Sequence, residues 1–164
     1  MSEPDFRSRA KLKSKGNRYE DMREGRVFEH HWGRTITAGD NAAFTTATLG
    51  FCPLYFNEPY AQSLGHPRTV VNPLLVFNTV FGLTVEDLSE GGGPFLGVDQ
   101  CRFIKPVYVG DTLIARSMVV AARESKGQKG YGIVTWHSTG TNQRGEPVIE
   151  FQRTNLVRRR SDAA

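Results

Sequence analysis

Residues 49–61, LGFCPLYFNEPYA, set a thiol, a phenol and a carboxamide around a proline turn. A thiol at Cys52 becomes a nucleophile only with a base beside it, and the sequence places no histidine there. The Tyr55 phenol, with an ordinary pKa of about 10, is a poor base at neutral pH and a usable acid. Tyr55 therefore reads either as a proton donor or substrate-orienting hydroxyl, or as a core or interface tyrosine. Asn57 either caps the helix that follows or hydrogen-bonds a polar group of a substrate. Asp40, in the stretch TAGD, is an N-cap or a catalytic carboxylate. Four histidines complete the inventory. His30 and His31 are neighbours on one extended segment and so face opposite sides of a sheet, which denies them a joint metal site. His66 lies in the loop GHPR, and His137 alternates with Trp136 on a strand pattern. With no HExxH and no Cys/His cluster, no metal is expected.

These groups need elements to hold them. VFEHHWGRTIT, residues 27–37, has the aromatic and β-branched content of a strand. Asp40 then reads as the cap of a short helix over 41–50, and Asn57 as the cap of another over 58–65. The strongest helix is NPLLVFNTVFGLTVEDLS, residues 72–89: Asn72 is the N-cap, Pro73 stands at the first helical position, and the apolar residues leave almost no polar face. Such a helix is expected to be buried nearly all round, and to be too short to span a membrane. Four strand patterns follow at 95–105, 111–122, 131–141 and 147–157, with NQRGEP as a hairpin turn between the last two. This order predicts an α+β domain in which an antiparallel sheet curls around one long buried helix.

The bulk numbers agree with a single domain. At 164 residues the chain can bury a core without staples, and 38% apolar with 23% charged residues describes a globular protein. The N-terminus has no apolar stretch of a secretory signal, and two cysteines make no disulfide framework, so a cytoplasmic location is expected. Residues 1–18 read as a basic arm carrying Arg7, Arg9, Lys11, Lys13, Lys15 and Arg18; 19–160 form the domain, and 161–164 a tail. The arm's charges are not interleaved with stacking aromatics, so nucleic acid is not the expected partner.

Several stretches in this order resemble the MaoC-like dehydratases and hydratases: RTITAGDNAAF, PLYFNEPYA, RTVVNPLL and FIKPVYVGDTL. The last is similar to that family's F-x-x-P-V-x-x-G-D-T-L signature. GNRYED, ARES and NQRGEPVIEFQRTNLVRR further resemble the itaconyl-CoA and mesaconyl-CoA hydratase branch. The resemblance implies a hot-dog fold, an acyl-CoA thioester substrate, and a homodimer or larger oligomer with sites between subunits. It implies addition of water to a 2-enoyl-CoA, or its removal, on a branched or dicarboxylic acyl group, with no cofactor beyond the coenzyme A of the substrate.

Laid on the family's G-D-x-N-P-L-H-x-D motif, the catalytic Asp falls on Gly50 and the His on Tyr55, while Cys52 and Asn57 take the Asn and final Asp positions. At the buried helix the family's His-Gly is Asn72-Pro73, and proline has no N–H to offer a developing oxyanion. The resemblance leaves Tyr55 as the acid or water-holding group, and the Asn72 amide or the Leu74 N–H to polarise the carbonyl. Arg68 and Lys105 are the cations nearest the expected ligand tunnel, each able to meet a phosphate or carboxylate. Two other readings stay open: a hot-dog thioesterase using Asp40 or Glu58, and an acyl-CoA-binding or partner subunit that has lost its acid–base pair.

Overall fold

The computed structural model describes residues 16–160. Five strands form one antiparallel sheet in the order β1-β3-β4-β5-β2. They are β1 Val27–Thr35, β2 Phe95–Phe103, β3 Thr112–Glu124, β4 Tyr131–Thr141 and β5 Pro147–Arg158. All helices but one short 3-10 turn at Tyr19–Asp21 fall between β1 and β2: α1 Ala38–Ala47, a 3-10 turn Pro53–Tyr55, α2 Glu58–Ser63, α3 Pro73–Leu83 and α4 Val85–Leu88. The expected α+β plan, one sheet packed on a central helix, is the plan observed. Among the described residues no helix is long and apolar enough to cross a membrane.

β4 alternates strictly between buried and half-buried positions, as a strand covered on one face must. Its inward Gly140 lets the helix approach: a Cβ there would meet Val80 of α3 at 2.6 Å. Val76 and Val80 sink into a core with Leu113, Ala115, Ile149 and Phe151, and Phe77 meets Phe151 edge-on at 5.1 Å. A second cluster, with Trp136, Val134, Met22 and Leu88, closes the other end of the sheet.

Three expectations about the helices are corrected. The helix expected over 72–89 is two helices. It breaks at Thr84, whose hydroxyl and amide both turn back to the Phe81 carbonyl (2.7 and 3.1 Å). The same hydroxyl accepts from buried Arg153, a cation that burial pushes down to about 10 in pKa. Second, α3 is not buried all round: only Val76 and Val80 are buried, and Leu74 is 55% exposed. Leu75, Asn78, Thr79, Gly82 and Leu83, at helical spacing, line an open groove of about 510 Å³ against β1. Third, Asp40 is not an N-cap. α1 starts at Ala38 with Thr37 as cap: the Thr37 hydroxyl accepts the Asp40 N–H (3.1 Å), and the Asp40 carboxylate accepts the Thr37 N–H (2.9 Å).

The arm expected over 1–18 lies outside the described residues up to 15. Its last two residues belong to the folded unit: the Asn17 side chain donates to the Asp87 carbonyl and Arg18 to the Gly91 carbonyl. The tail at 161–164 is likewise outside the described residues. The GD of FIKPVYVGDTL is a structural knot. Gly110 has φ +92°, and buried Asp111 accepts from the Tyr108 N–H, Gln143 and Arg68.

Candidate active site

A cavity of about 280 Å³ opens beside the start of α3, with Leu54, Tyr55, His66, Pro73, Val76 and Lys105 among its lining residues. Its walls are mostly apolar, and among the described residues no carboxylate contributes to them. The residues with polar or ionisable side chains in the lining are Tyr55, His66 and Lys105. A site of this size and lining suits a small acyl group with a few fixed polar contacts.

Tyr55 ends the 3-10 turn that Pro53 begins, and its N–H is held by the Cys52 carbonyl at 3.0 Å. The phenol makes no hydrogen bond to any described residue. Burial, with the Cys52 thiol adding to it, pushes the phenol above its ordinary pKa, so it remains protonated at neutral pH. It can donate a hydrogen bond or a proton, and it cannot serve as a resting base. His66 lines the same cavity, with Nδ1 3.2 Å from the Tyr108 hydroxyl. Lys105 reaches Glu146 at 2.9 Å on the exposed rim.

The start of α3 is closed by its own cap. Asn72 Oδ1 accepts the Leu74 N–H at 3.0 Å, the Asn72 carbonyl accepts those of Leu75 and Val76 (2.9 and 3.1 Å), and Pro73 has none. No amide of this turn is left to meet a thioester carbonyl. Asn72 and Leu74, expected to polarise that carbonyl, are not among the residues that line the cavity: buried Asn72 donates from Nδ2 to Thr45 Oγ1 at 3.3 Å, and the Leu74 side chain is exposed.

Other expected site residues are spread through the fold. Asn57 caps α2, its Oδ1 accepting the Tyr60 N–H at 3.0 Å. Arg68 donates to the Val109 carbonyl and to Asp111, outside the cavity lining. Asp40 lies in the groove along β1 rather than in the cavity. The hydroxyl and amide of Thr37, and then Arg34, hold its carboxyl below the usual range. Glu58 accepts from Thr69 at 3.3 Å. Of the expected residues, the fold brings Tyr55, Pro73 and Lys105 together, with His66 beside them.

His30 is the inward member of its pair, and Asp87 (2.7 Å) and Ser117 (2.9 Å) take its two nitrogens. Ser117 also bonds Ser138 at 2.8 Å. The order Ser–His–Asp is that of a hydrolase, yet both serines are sealed, at 1% and 0% exposure. A substrate carbonyl cannot reach them, and the chain of bonds clamps α4 to the sheet. His31 lies outward near Glu86, and His137 near Glu150. Cys52 and Cys101 are exposed free thiols. Among the described residues no three His, Cys, Asp or Glu converge as a metal site.

Sequence reasoning missed Asn41 and Thr45. Both are buried polar residues one helical turn apart on α1, and both bond to Asn72. The available signal was two polar side chains at i, i+4 on a helix face that should be apolar.

The mesaconyl-CoA hydratase family model matches residues 5–164. The β-methylmalyl-CoA dehydratase of Chloroflexus aurantiacus is 43% identical over 149 residues, covering 91% of this chain and 42% of its own length. The crystal structure of a MaoC domain protein dehydratase from the same organism superposes with a TM-score of 0.86 at 41% identity, covering 94% of this chain and 44% of that one. A Mycobacterium tuberculosis protein with a double hot-dog fold superposes at 0.81 with 24% identity, over 91% of this chain and 46% of that one, a likeness of fold alone. The chain spans less than half the length of these relatives.

Proposed function

The chain belongs to the mesaconyl-CoA hydratase family, and from that premise we propose that it is a hot-dog unit of an acyl-CoA hydratase or dehydratase. The substrate class is a 2-enoyl-CoA thioester, with a branched dicarboxylic acyl group preferred. The observation that carries this reading is the cavity beside the start of α3, where Tyr55, His66 and Lys105 converge on an apolar pocket. Tyr55 holds or protonates; His66, paired with Tyr108, is the nearest base; Lys105 on the rim meets the negative end of a substrate. Hydration moves a proton and a hydroxyl group without electron transfer, so no redox cofactor enters.

The placement of the two candidate carboxylates weighs against the thioesterase reading, since Glu58 is tied to Thr69 and Asp40 lies in the separate groove. The partner-subunit reading has a specific support. Gly50 stands where the family motif has its acid, and the chain spans less than half of its relatives. We therefore propose that this unit works paired with a second hot-dog unit, a copy of itself in the simplest case. β2 is an edge strand with exposed Phe95, Leu96 and Phe103, and at the opposite edge the open face of α3 lies along β1. Exposed, unpaired Cys52 and Cys101 suit a reducing cytoplasm.

The test is to incubate the purified chain with crotonyl-CoA, mesaconyl-CoA and longer 2-enoyl-CoAs, following enoyl absorbance and free thiol. Absorbance loss without thiol is the expected result. Thiol release would establish the thioesterase instead. Saturable binding by calorimetry with neither signal would leave a binding unit.

A further inference from the structure

One buried side chain joins the two parts of the cavity that the proposed hydration needs in register. Asn41, on α1, is 1% exposed. Its Nδ2 donates to the Tyr55 carbonyl and to the Val70 carbonyl, both at 3.0 Å. Its Oδ1 accepts the Asn72 N–H at 2.9 Å. Both donors and the acceptor of the amide are thus engaged by backbone of two segments, the turn ending at Tyr55 and the stretch 70–72 that leads into α3.

Those segments are the ones that carry the cavity. The Tyr55 carbonyl belongs to the turn that aims the phenol, and Val70 to the stretch that bridges to Tyr108, the partner of His66. The Asn72 N–H belongs to the residue that caps α3, next to Pro73 in the cavity wall. The turn bearing Tyr55 is a single 3-10 turn between exposed stretches, with Leu49 at 74% and Phe51 at 65% exposure. It has little core of its own, so a bond from buried Asn41 is what ties it to the helix start.

We propose that Asn41 is a positioning residue for the hydration reaction: it fixes the Tyr55 turn against the N-terminus of α3, and with it the distance from the phenol to the bound thioester. This rests on the hydratase reading above. Asn41 touches no substrate, and its effect on turnover is exerted through Tyr55. A buried amide is suited to this because losing one partner leaves a carbonyl unsatisfied rather than allowing the segments to slide freely.

Two substitutions separate the bonds. Asn41→Asp keeps the volume and the acceptor for the Asn72 N–H but has no donor for the Tyr55 and Val70 carbonyls. Asn41→Ala removes all three bonds. Hydrogen exchange of the Asn72 amide reports the acceptor, with the Val71 amide, held by the Val107 carbonyl at 2.8 Å, as internal control. Steady-state kinetics on crotonyl-CoA and mesaconyl-CoA report the positioning. The expected result for Asn41→Asp is a protected Asn72 amide, kcat lowered about 100-fold and KM within about threefold of the parent. Asn41→Ala is expected to lose Asn72 protection as well, with Val71 unchanged.

Wild-type kcat in folded Asn41→Asp would overturn the inference and leave the hydratase reading intact. So would variants that only lower the yield of folded protein while the folded fraction turns over normally. Wild-type protein inert on every thioester would instead sink the hydratase reading, and the positioning role with it.

Discussion

Gly50 and Asn72 face each other at the start of α3: a Cβ on Gly50 would stand 3.3 Å from Asn72 Nδ2 and 3.6 Å from the Thr45 methyl. The position that the family motif gives to an acid is here a glycine packed against the cap of the central helix. Its backbone is not in the left-handed region, so an alanine there is opposed by contact alone. Gly50→Ala is expected to push on the Asn72 cap and destabilise by about 1 kcal/mol. Chemical denaturation of the two proteins side by side measures this, and an unchanged midpoint would show that the cap yields without cost.

Tyr55→Phe removes the one hydroxyl in the cavity that has no partner among the described residues. If the phenol donates in the transition state, kcat falls about 100-fold while KM holds. The pH profile gives a second reading. Burial raises the phenol pKa above about 10, and the donor form exists below it. Activity due to Tyr55 should therefore persist at neutral pH and be lost only as pH rises through that raised value. In the Phe variant this alkaline limb should be missing; its survival would assign the limb elsewhere.

Asn72→Ala deletes an N-cap, and the expected cost is about 1–2 kcal/mol of stability. Because Asn72 also donates to Thr45 Oγ1 in a buried place, the upper part of that range is expected. Thermal or denaturant unfolding gives the number. Asn72→Asp retains the acceptor for the Leu74 N–H and places a negative charge at the helix start, so it should recover much of the loss.

Gly140 is the place where the sheet and α3 come closest. An added Cβ would meet Val80 at 2.6 Å and Ile149 at 2.8 Å, both side chains of the packed core. Gly140→Ala should destabilise by about 1–3 kcal/mol through overpacking. Gly127 has nothing within 4 Å of its added Cβ, and Gly127→Ala serves as the control that should leave stability within about 0.5 kcal/mol.

Glu146 is held at a pKa of about 2 by hydrogen bonds from Asn142, then Lys105, then Arg144. A carboxyl whose folded pKa is depressed stabilises the fold above its unfolded value of about 4.5, and that contribution is lost as pH falls toward 2. The stability difference between wild type and Glu146→Gln should be present at pH 7 and shrink between pH 4.5 and 2. A difference that stays constant over that window would place the effect in packing rather than charge. Lys105, freed by the same substitution at the cavity rim, should leave neutral-pH turnover within a few fold.

Local order in this chain was legible from residue types. Runs of strand length rich in β-branched residues placed β3, β4 and β5 within a residue or two, and the NQRGEP hairpin has Gly145 at φ +74° as a turn there requires. Asn72 and Asn57 were readable as caps, because a short amide before a proline-started helix has one nearby set of free N–H groups to satisfy. The capping box at Thr37 and Asp40 was misread by three residues, since either residue type can cap and only the backbone angles of Thr37 decide between them.

What the tertiary structure alone decided is which polar groups share a space. Tyr55, His66, Pro73 and Lys105 are scattered along some fifty positions and meet because the sheet returns Lys105 to the start of α3. The i, i+4 spacing of Asn41 and Thr45 marks a buried polar pair but not what Asn41 meets, as its three partners are backbone groups, and backbone groups carry no residue identity. The open face of α3 was also invisible: an apolar helix reads as buried whether its cover comes from its own sheet or from another subunit. Periodicity reports which side chains avoid water, and only the folded arrangement reports what they meet instead.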